Sequence, residues 1–309
     1  MSENLNRPHL IQPLSIGNVV NVAINLYRAN FQLYLKLSLL AYLWLLVPVY
    51  GWAKFWMNSA LISRLAFCEL MGQTESIKDA RRYIKPRTWS FLLTAILLFV
   101  LLFLALILSF ILTGFFLTMT RMEQVMAPFL EPIADDKFVR NNILKIISFL
   151  IFLLLILLIL ITCIFAPTVW LYSRFFIAEL PLASESNINL IKTLCRSWKL
   201  TKGYFWKIQM IFIVSFFLFL PLEILLYLGG EIFNLITSRL MAGLISSYPL
   251  IDSILMEMFA WAIILLNAVM LLPFFQLIKA VVYYNLRLRR EGLGLRLRPS
   301  LPYVSTDIT

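Results

Sequence analysis

Arg64 and Glu69 stand five residues apart in the run Ser63-Arg64-Leu65-Ala66-Phe67-Cys68-Glu69-Leu70. Arg174 and Glu179 stand five apart in Ser173-Arg174-Phe175-Phe176-Ile177-Ala178-Glu179-Leu180, and Lys279 with Asn285 forms a looser third counterpart. Each set lies where a long apolar stretch meets a polar one. Charge is costly in hydrocarbon, and long basic side chains relieve the cost by reaching back to the interface. That accounts for the basic residues but not for the repeated acid. Opposite charges at such a depth suit two tasks: binding a lipid headgroup, or stabilising an interface between helices. A second candidate set is basic and aromatic: Arg196, Lys199, Lys202, Arg287, Arg289 and Arg290, with Trp198 and Trp206. Cationic donors beside indole rings meet phosphates at headgroup depth, each charge contributing roughly 1 kcal/mol near an anionic surface.

No catalytic set accompanies these residues. His9 is the single histidine and lies in a polar tail. There is no Walker A sequence, no HExxH and no GxSxG. Cys68, Cys163 and Cys195 form neither a CxxC pair nor an even-numbered framework. The expectation is a protein that is not an enzyme and carries no metal or cofactor. Among intramembrane polar residues, Glu223 and Glu257 fall near one boundary, and Asn267 falls mid-span with a side chain suited to hydrogen bonding across helices.

The elements that must position these side chains are set by a bilayer. The stretch from Thr88 to Met119 has no charged residue, nor does 146–173. At about 1.5 Å per residue, either exceeds the roughly 30 Å hydrocarbon core. Hydrophobic residues make up 61% of the chain and charged ones 14%, far from soluble averages. The net charge of +11 is read as topology signal and lipid attraction, not nucleic-acid binding, because basic residues cluster beside the apolar spans. The expected fold is an all-α integral membrane domain over 15–290, between a flexible tail at 1–14 and a cytoplasmic tail at 291–309. Spans are expected at about 37–53, 55–72, 91–119, 146–170, 208–229 and 257–281, since helices satisfy their backbone groups internally in lipid. The N-terminus lacks the charged and apolar regions of a cleavable signal peptide.

Lys and Arg in the short flanks set the orientation. They concentrate in 73–90, in 173–207 and in the tail from Arg287, whereas 230–256 holds Arg239 alone. Both termini are therefore expected in the cytoplasm, which requires an even number of spans. The alternative makes 37–72 one bent span with the N-terminus outside. The same rule serves a bacterial-type plasma membrane and an internal membrane such as a thylakoid.

The cytoplasmic segments resemble one another. In 15–34, Ile16, Val19, Val20, Ala23, Leu26, Tyr27, Phe31 and Tyr34 recur at helical spacing behind Ser15 as N-cap. Segment 76–85 opens on Ser76 and Asp79. Segment 187–202 places Ile188, Ile191, Leu194 or Cys195, and Trp198 on one stripe. Three units are expected, each an amphipathic interfacial helix followed by a two-span hairpin; the bland alternative is that every inner boundary favours Arg, Trp and Tyr. A separate amphipathic helix is expected at 231–246, beyond a helix end at Gly229-Gly230.

Two blocks carry a family resemblance. Cys195-Arg196-Ser197-Trp198-Lys199-Leu200-Thr201-Lys202-Gly203 resembles a recurring RSWxLTKG segment, and 274–298 resembles KAVxYYDLRxRREGLDLxLR. Both resemble the membrane-domain family named after glycerophosphodiester phosphodiesterases. The resemblance implies a six-span helical domain, loosely over 15–298. Asn285 and Gly294 stand where that pattern has Asp. Phosphodiesterase chemistry would belong to a separate soluble barrel, and it needs histidines and a carboxylate cluster; this chain has neither that barrel nor those histidines. The leading expectation is a non-catalytic membrane-organising, lipid-binding or accessory protein, with anionic lipids and a membrane-protein partner. The alternative is a transporter or lipid translocase with a polar site at the inner boundary.

Overall fold

The computed structural model describes residues 15–119, 143–186, 188–241 and 249–292. Within them the chain is all-α. The helices are α1 (Ile16–Ala29), α2 (Phe31–Trp44), α3 (Tyr50–Leu70), α4 (Ile77–Ile84), α5 (Thr88–Met119), α6 (Ile143–Phe175), α7 (Glu179–Ser184), α8 (Leu190–Thr201), α9 (Phe205–Met241) and α10 (Pro249–Glu291), with a 3₁₀ turn at Lys85–Arg87. Two helix starts follow from side-chain caps. Ser15 Oγ accepts from Asn18 N at 3.3 Å, and Ser76 Oγ accepts from Asp79 N at 3.2 Å.

Four helices, α5, α6, α9 and α10, are long and apolar enough to cross a membrane. From 0% to 17% of the apolar window of each is buried. Phe99, Phe110, Leu154, Phe217, Leu225 and Trp261 stand more than half exposed. Surface of that extent has no place in water, but it is the ordinary outer face of a helix in lipid. The chain is an integral membrane protein.

The chain forms two compact units. The unit Ile96–Arg174 holds most of α5 and α6. The other, made of Met1–Ala95 and Phe175–Thr309, holds the remaining helices and the core. Its centre is α3, buried nearly all round and packed by α2, α4, α7 and α10. Small residues allow that approach: Gly51, Ala53, Ser59, Ala60, Ser63 and Ala66 are all buried. The end of α10 from Phe274 to Leu288 packs against α3, α1 and α2, burying Tyr283 and Tyr284 beside Phe67. So α10 has two parts, an apolar half exposed to lipid and a half that forms the protein core.

Several boundaries differ from expectation. The segment 37–53 is not one helix: α2 ends at Trp44, the chain turns at 45–49 around Pro48, and α3 begins at Tyr50. The expected span at 55–72 falls in α3, which carries Lys54, Arg64 and Glu69 and is not among the four apolar helices. Gly229-Gly230 does not end a helix. Helix α9 continues through both to Met241, so the described part of 231–246 is its extension. In an apolar helix exposed to lipid the backbone groups must be satisfied within the helix, which outweighs the weak helix preference of glycine.

The amphipathic segments differ too. Val19, Val20, Ala23, Leu26 and Tyr27 face inward as expected, but they pack on α9 and α10, that is, on protein. In α8 the buried face is Thr193, Leu194, Ser197, Leu200 and Thr201, and Ile191 is 71% exposed. Helix α3 runs unbroken through Arg64 and Glu69, whereas its expected counterpart breaks between α6 and α7, separating Arg174 from Glu179. The likeness of the two segments therefore does not extend to the backbone. The tails at 1–14 and 293–309 lie outside the described residues.

Candidate functional site

The short helix α7 organises the boundary charges. Arg64 pairs with Glu75 at 2.8 Å and donates to the Ala183 carbonyl at 2.5 Å. Its guanidinium lies 3.8 Å from the Tyr83 ring centre. Arg87 donates to the Leu182 and Glu185 carbonyls at 2.8 and 2.7 Å and approaches Tyr83 from 4.9 Å. Two cations thus gather carbonyls at the C-terminal end of α7, where the helix dipole favours positive charge. At the other end Lys279 meets Glu179 at 2.6 Å.

Among the other boundary residues singled out from sequence, Glu69 turns from Arg64 and accepts from Asn30 and Tyr34. Asn285 accepts from Arg289 at 3.4 Å. Arg174 belongs to the other compact unit, with its guanidinium 5.1 Å from the Trp170 ring centre. Glu179 and Lys279, both in the expected set, meet as an ion pair.

The basic-aromatic set divides more informatively. Arg196 pairs with Glu185 at 3.0 Å and with Glu291 at 2.7 Å, while Arg287 meets Glu291 at 2.9 Å. Tyr283 donates to Glu185 at 2.7 Å. Burial works against the Arg196 cation, but the Glu185 and Glu291 carboxylates outweigh it and raise its pKa. These two arginines tie α8 and the α7–α8 connection to the end of α10. Their charge is largely answered by protein. Trp198 is half-buried, with its ring 5.7 Å from that of Phe175.

The remainder meets at the corner between α8 and α9. Gly203, with φ of 84°, occupies the left-handed conformation after the helix, where a side chain would be strained. Lys202 N donates back to the Trp198 carbonyl at 3.1 Å, and Tyr204 N to that of Thr201 at 3.0 Å. Arg290 from α10 donates to the Lys202 carbonyl. The Arg289 and Arg290 guanidiniums lie 6.0 and 5.6 Å from the Tyr204 ring centre. Lys199, Lys202, Arg289 and Arg290 are exposed, and Trp206, the second residue of α9, is 75% exposed.

Comparison with family models, with curated proteins and with solved structures finds no match to this chain.

Two further groups went unrecognised in the sequence. Glu75, Glu185 and Glu291 are the acids that hold the arginines; their signal was scarcity, as three of the few acids in the basic segments. The second group is a buried polar seam. Ser63 donates to Gln276 at 2.5 Å, Gln276 donates to Ser59, and Asn58, next to Ser59 in α3, is 1% exposed with no side-chain hydrogen-bond partner among the described residues. Nothing in spacing marks Gln276 until α3 and α10 are known to pack. Glu223 and Asn267, read separately, meet at 2.7 Å. Among the described residues no three His, Cys, Asp or Glu side chains converge as a metal site.

Proposed function

We propose that this is a non-catalytic membrane protein whose basic corner, Lys199, Lys202, Arg289 and Arg290 with Trp206, binds anionic lipid headgroups and thereby organises its surroundings in the membrane. The observation that carries the reading is the convergence of the α8–α9 corner and the end of α10 on Tyr204, with four exposed cations and an exposed indole. Like charges repel when gathered, so a corner of this kind is stabilised by an anion. Phosphate supplies the charge and the acyl chains anchor it beside Trp206.

The two blocks that carry the sequence resemblance are the two that meet at this corner. Their resemblance to the membrane-domain family named after glycerophosphodiester phosphodiesterases supports the reading of a membrane domain without catalytic chemistry of its own. The proposed topology has three helical hairpins entering from the cytoplasmic side, α2–α3, α5–α6 and α9–α10, with both termini and the basic corner in the cytoplasm. The excess of Lys and Arg in 73–90, 173–207 and the tail supports it.

The test is thermal unfolding of the purified protein with phosphatidylglycerol or phosphatidylcholine added to the detergent. Phosphatidylglycerol raises the midpoint further, and Lys202→Gln with Arg289→Gln removes that increment. Equal midpoints for the two lipids refute the reading.

A second reading, a transporter or lipid translocase, draws on the polar seam of Asn58, Ser59, Ser63 and Gln276. Solute or lipid flux in reconstituted vesicles, abolished by Gln276→Leu, favours it.

A further inference from the structure

The turn between α2 and α3 combines features that water-facing turns lack. Residues 45–49 read Leu-Leu-Val-Pro-Val and contain no polar side chain. Leu46 is 81% exposed, and Val49, Tyr50 and Trp52 are about half exposed. Turns in water draw on Gly, Asn, Asp and Ser. The backbone of this turn is also partly paired within itself. Leu45, Leu46 and Val47 donate to the carbonyls of Tyr42, Leu43 and Trp44, Pro48 has no N–H, and Tyr50 donates to the Pro48 carbonyl. Each such bond lowers the cost of placing irregular backbone in hydrocarbon.

One leg of the hairpin is too short to cross. Helix α2 has 14 residues, about 21 Å, against a core of roughly 30 Å, whereas α3 has 21 residues, about 32 Å. Depth follows from the neighbour α10. Ser63 and Ser59 bond to Gln276, and Phe67 packs on Tyr283, so α3 and α10 run in the same direction with a fixed offset. Carried back to Val49, that offset brings the tip level with α10 residues 262–266, roughly 8–13 Å short of Glu257. Ile264, Leu265 and Leu266 at that level are themselves exposed apolar residues. The tip therefore continues the lipid-facing surface of α10.

Resting on the reading of α10 as a membrane span, we infer that α2–α3 is a re-entrant hairpin whose tip, from Leu45 to Trp52, is bedded in the acyl chains of the bilayer and emerges on neither side. The chain then crosses four times, and its termini remain on one side. Gly51 and Val49 build the reversal. A Cβ on Gly51 would lie 1.8 Å from the Trp44 carbonyl oxygen, and Val49 holds φ of 60°, a conformation that a β-branched residue adopts only under constraint.

The test is a nitroxide placed by Leu46→Cys, and separately by Val47→Cys, in full-length protein with the native cysteines replaced and reconstituted in liposomes. The expected result is relaxation enhanced by oxygen and little by a water-soluble nickel chelate, together with no reaction with impermeant maleimide from either side before spin labelling. Strong relaxation by the chelate overturns the inference, as does maleimide reaction from either face. If oxygen and chelate both fail to reach the label, the tip is covered by protein, which also overturns it. A matching site at Gln73 must react from one face, which keeps loss of the hairpin separate from failure of α10 to span.

Discussion

Arg64 is the side chain on which most of the boundary order depends. It bonds a carboxylate, a carbonyl and a ring at once, and its side chain is 11% exposed. Arg64→Ala leaves Glu75 without its cation and the Ala183 carbonyl without this donor. Losing hydrogen bonds of a charged, half-buried group costs about 1.5–3 kcal/mol, so its unfolding midpoint in detergent should fall below that of an exposed change such as Arg81→Ala. Tyr27 tests the other face of the core. Its hydroxyl donates to the Met270 carbonyl at 3.0 Å. Tyr27→Phe should therefore cost about 1 kcal/mol, read as a lower unfolding midpoint in detergent.

At the scale of elements, Gly51 is the joint that permits the α2–α3 reversal. Gly51→Ala forces a Cβ into the Trp44 carbonyl, backbone against side chain, with nothing flexible to yield. The protein should lose more stability than the 1–3 kcal/mol of ordinary overpacking, while Ser76→Ala, which removes a cap, should cost only about 1 kcal/mol. Comparing denaturation of the two variants separates a hinge from a cap. These elements also mark the limit of reading from sequence. The caps Ser15 and Ser76, the inward face of α1 and the four apolar helices were legible, because each is a local pattern of spacing or polarity. The turn at 45–49 was not, because an apolar turn and an apolar span look the same until α2 is seen to stop at Trp44. Nor was the continuation of α9 through Gly229-Gly230, where the need to satisfy backbone groups in lipid overrides propensity. Of the candidate site, Lys202, Arg289 and Arg290 were found as types, but their meeting at Tyr204 depends on contact between α8 and α10. The acids that claim Arg196 and Arg287 lie in the same class of long-range fact.

At the scale of the molecule, the long apolar helices stand in lipid while α1, α3, α7 and the end of α10 form a protein-like core with its charges paired. The sidedness proposed from the basic flanks is testable: thiols introduced by Gln73→Cys and by Lys199→Cys should react with impermeant maleimide only after permeabilisation, and reaction of either in intact cells would reverse the orientation. Binding of anionic lipid at the α8–α9 corner is the central claim, and counting retained lipids tests it most directly. Native mass spectrometry of the protein purified from a phosphatidylglycerol–phosphatidylcholine mixture should show anionic adducts in preference to neutral ones. Lys199→Gln with Lys202→Gln and Arg289→Gln should remove that preference, while Arg81→Gln with Arg82→Gln, exposed cations on α4, should preserve it. Neutral and anionic lipids retained in proportion to the mixture, or a preference untouched by the corner substitutions, would contradict the account.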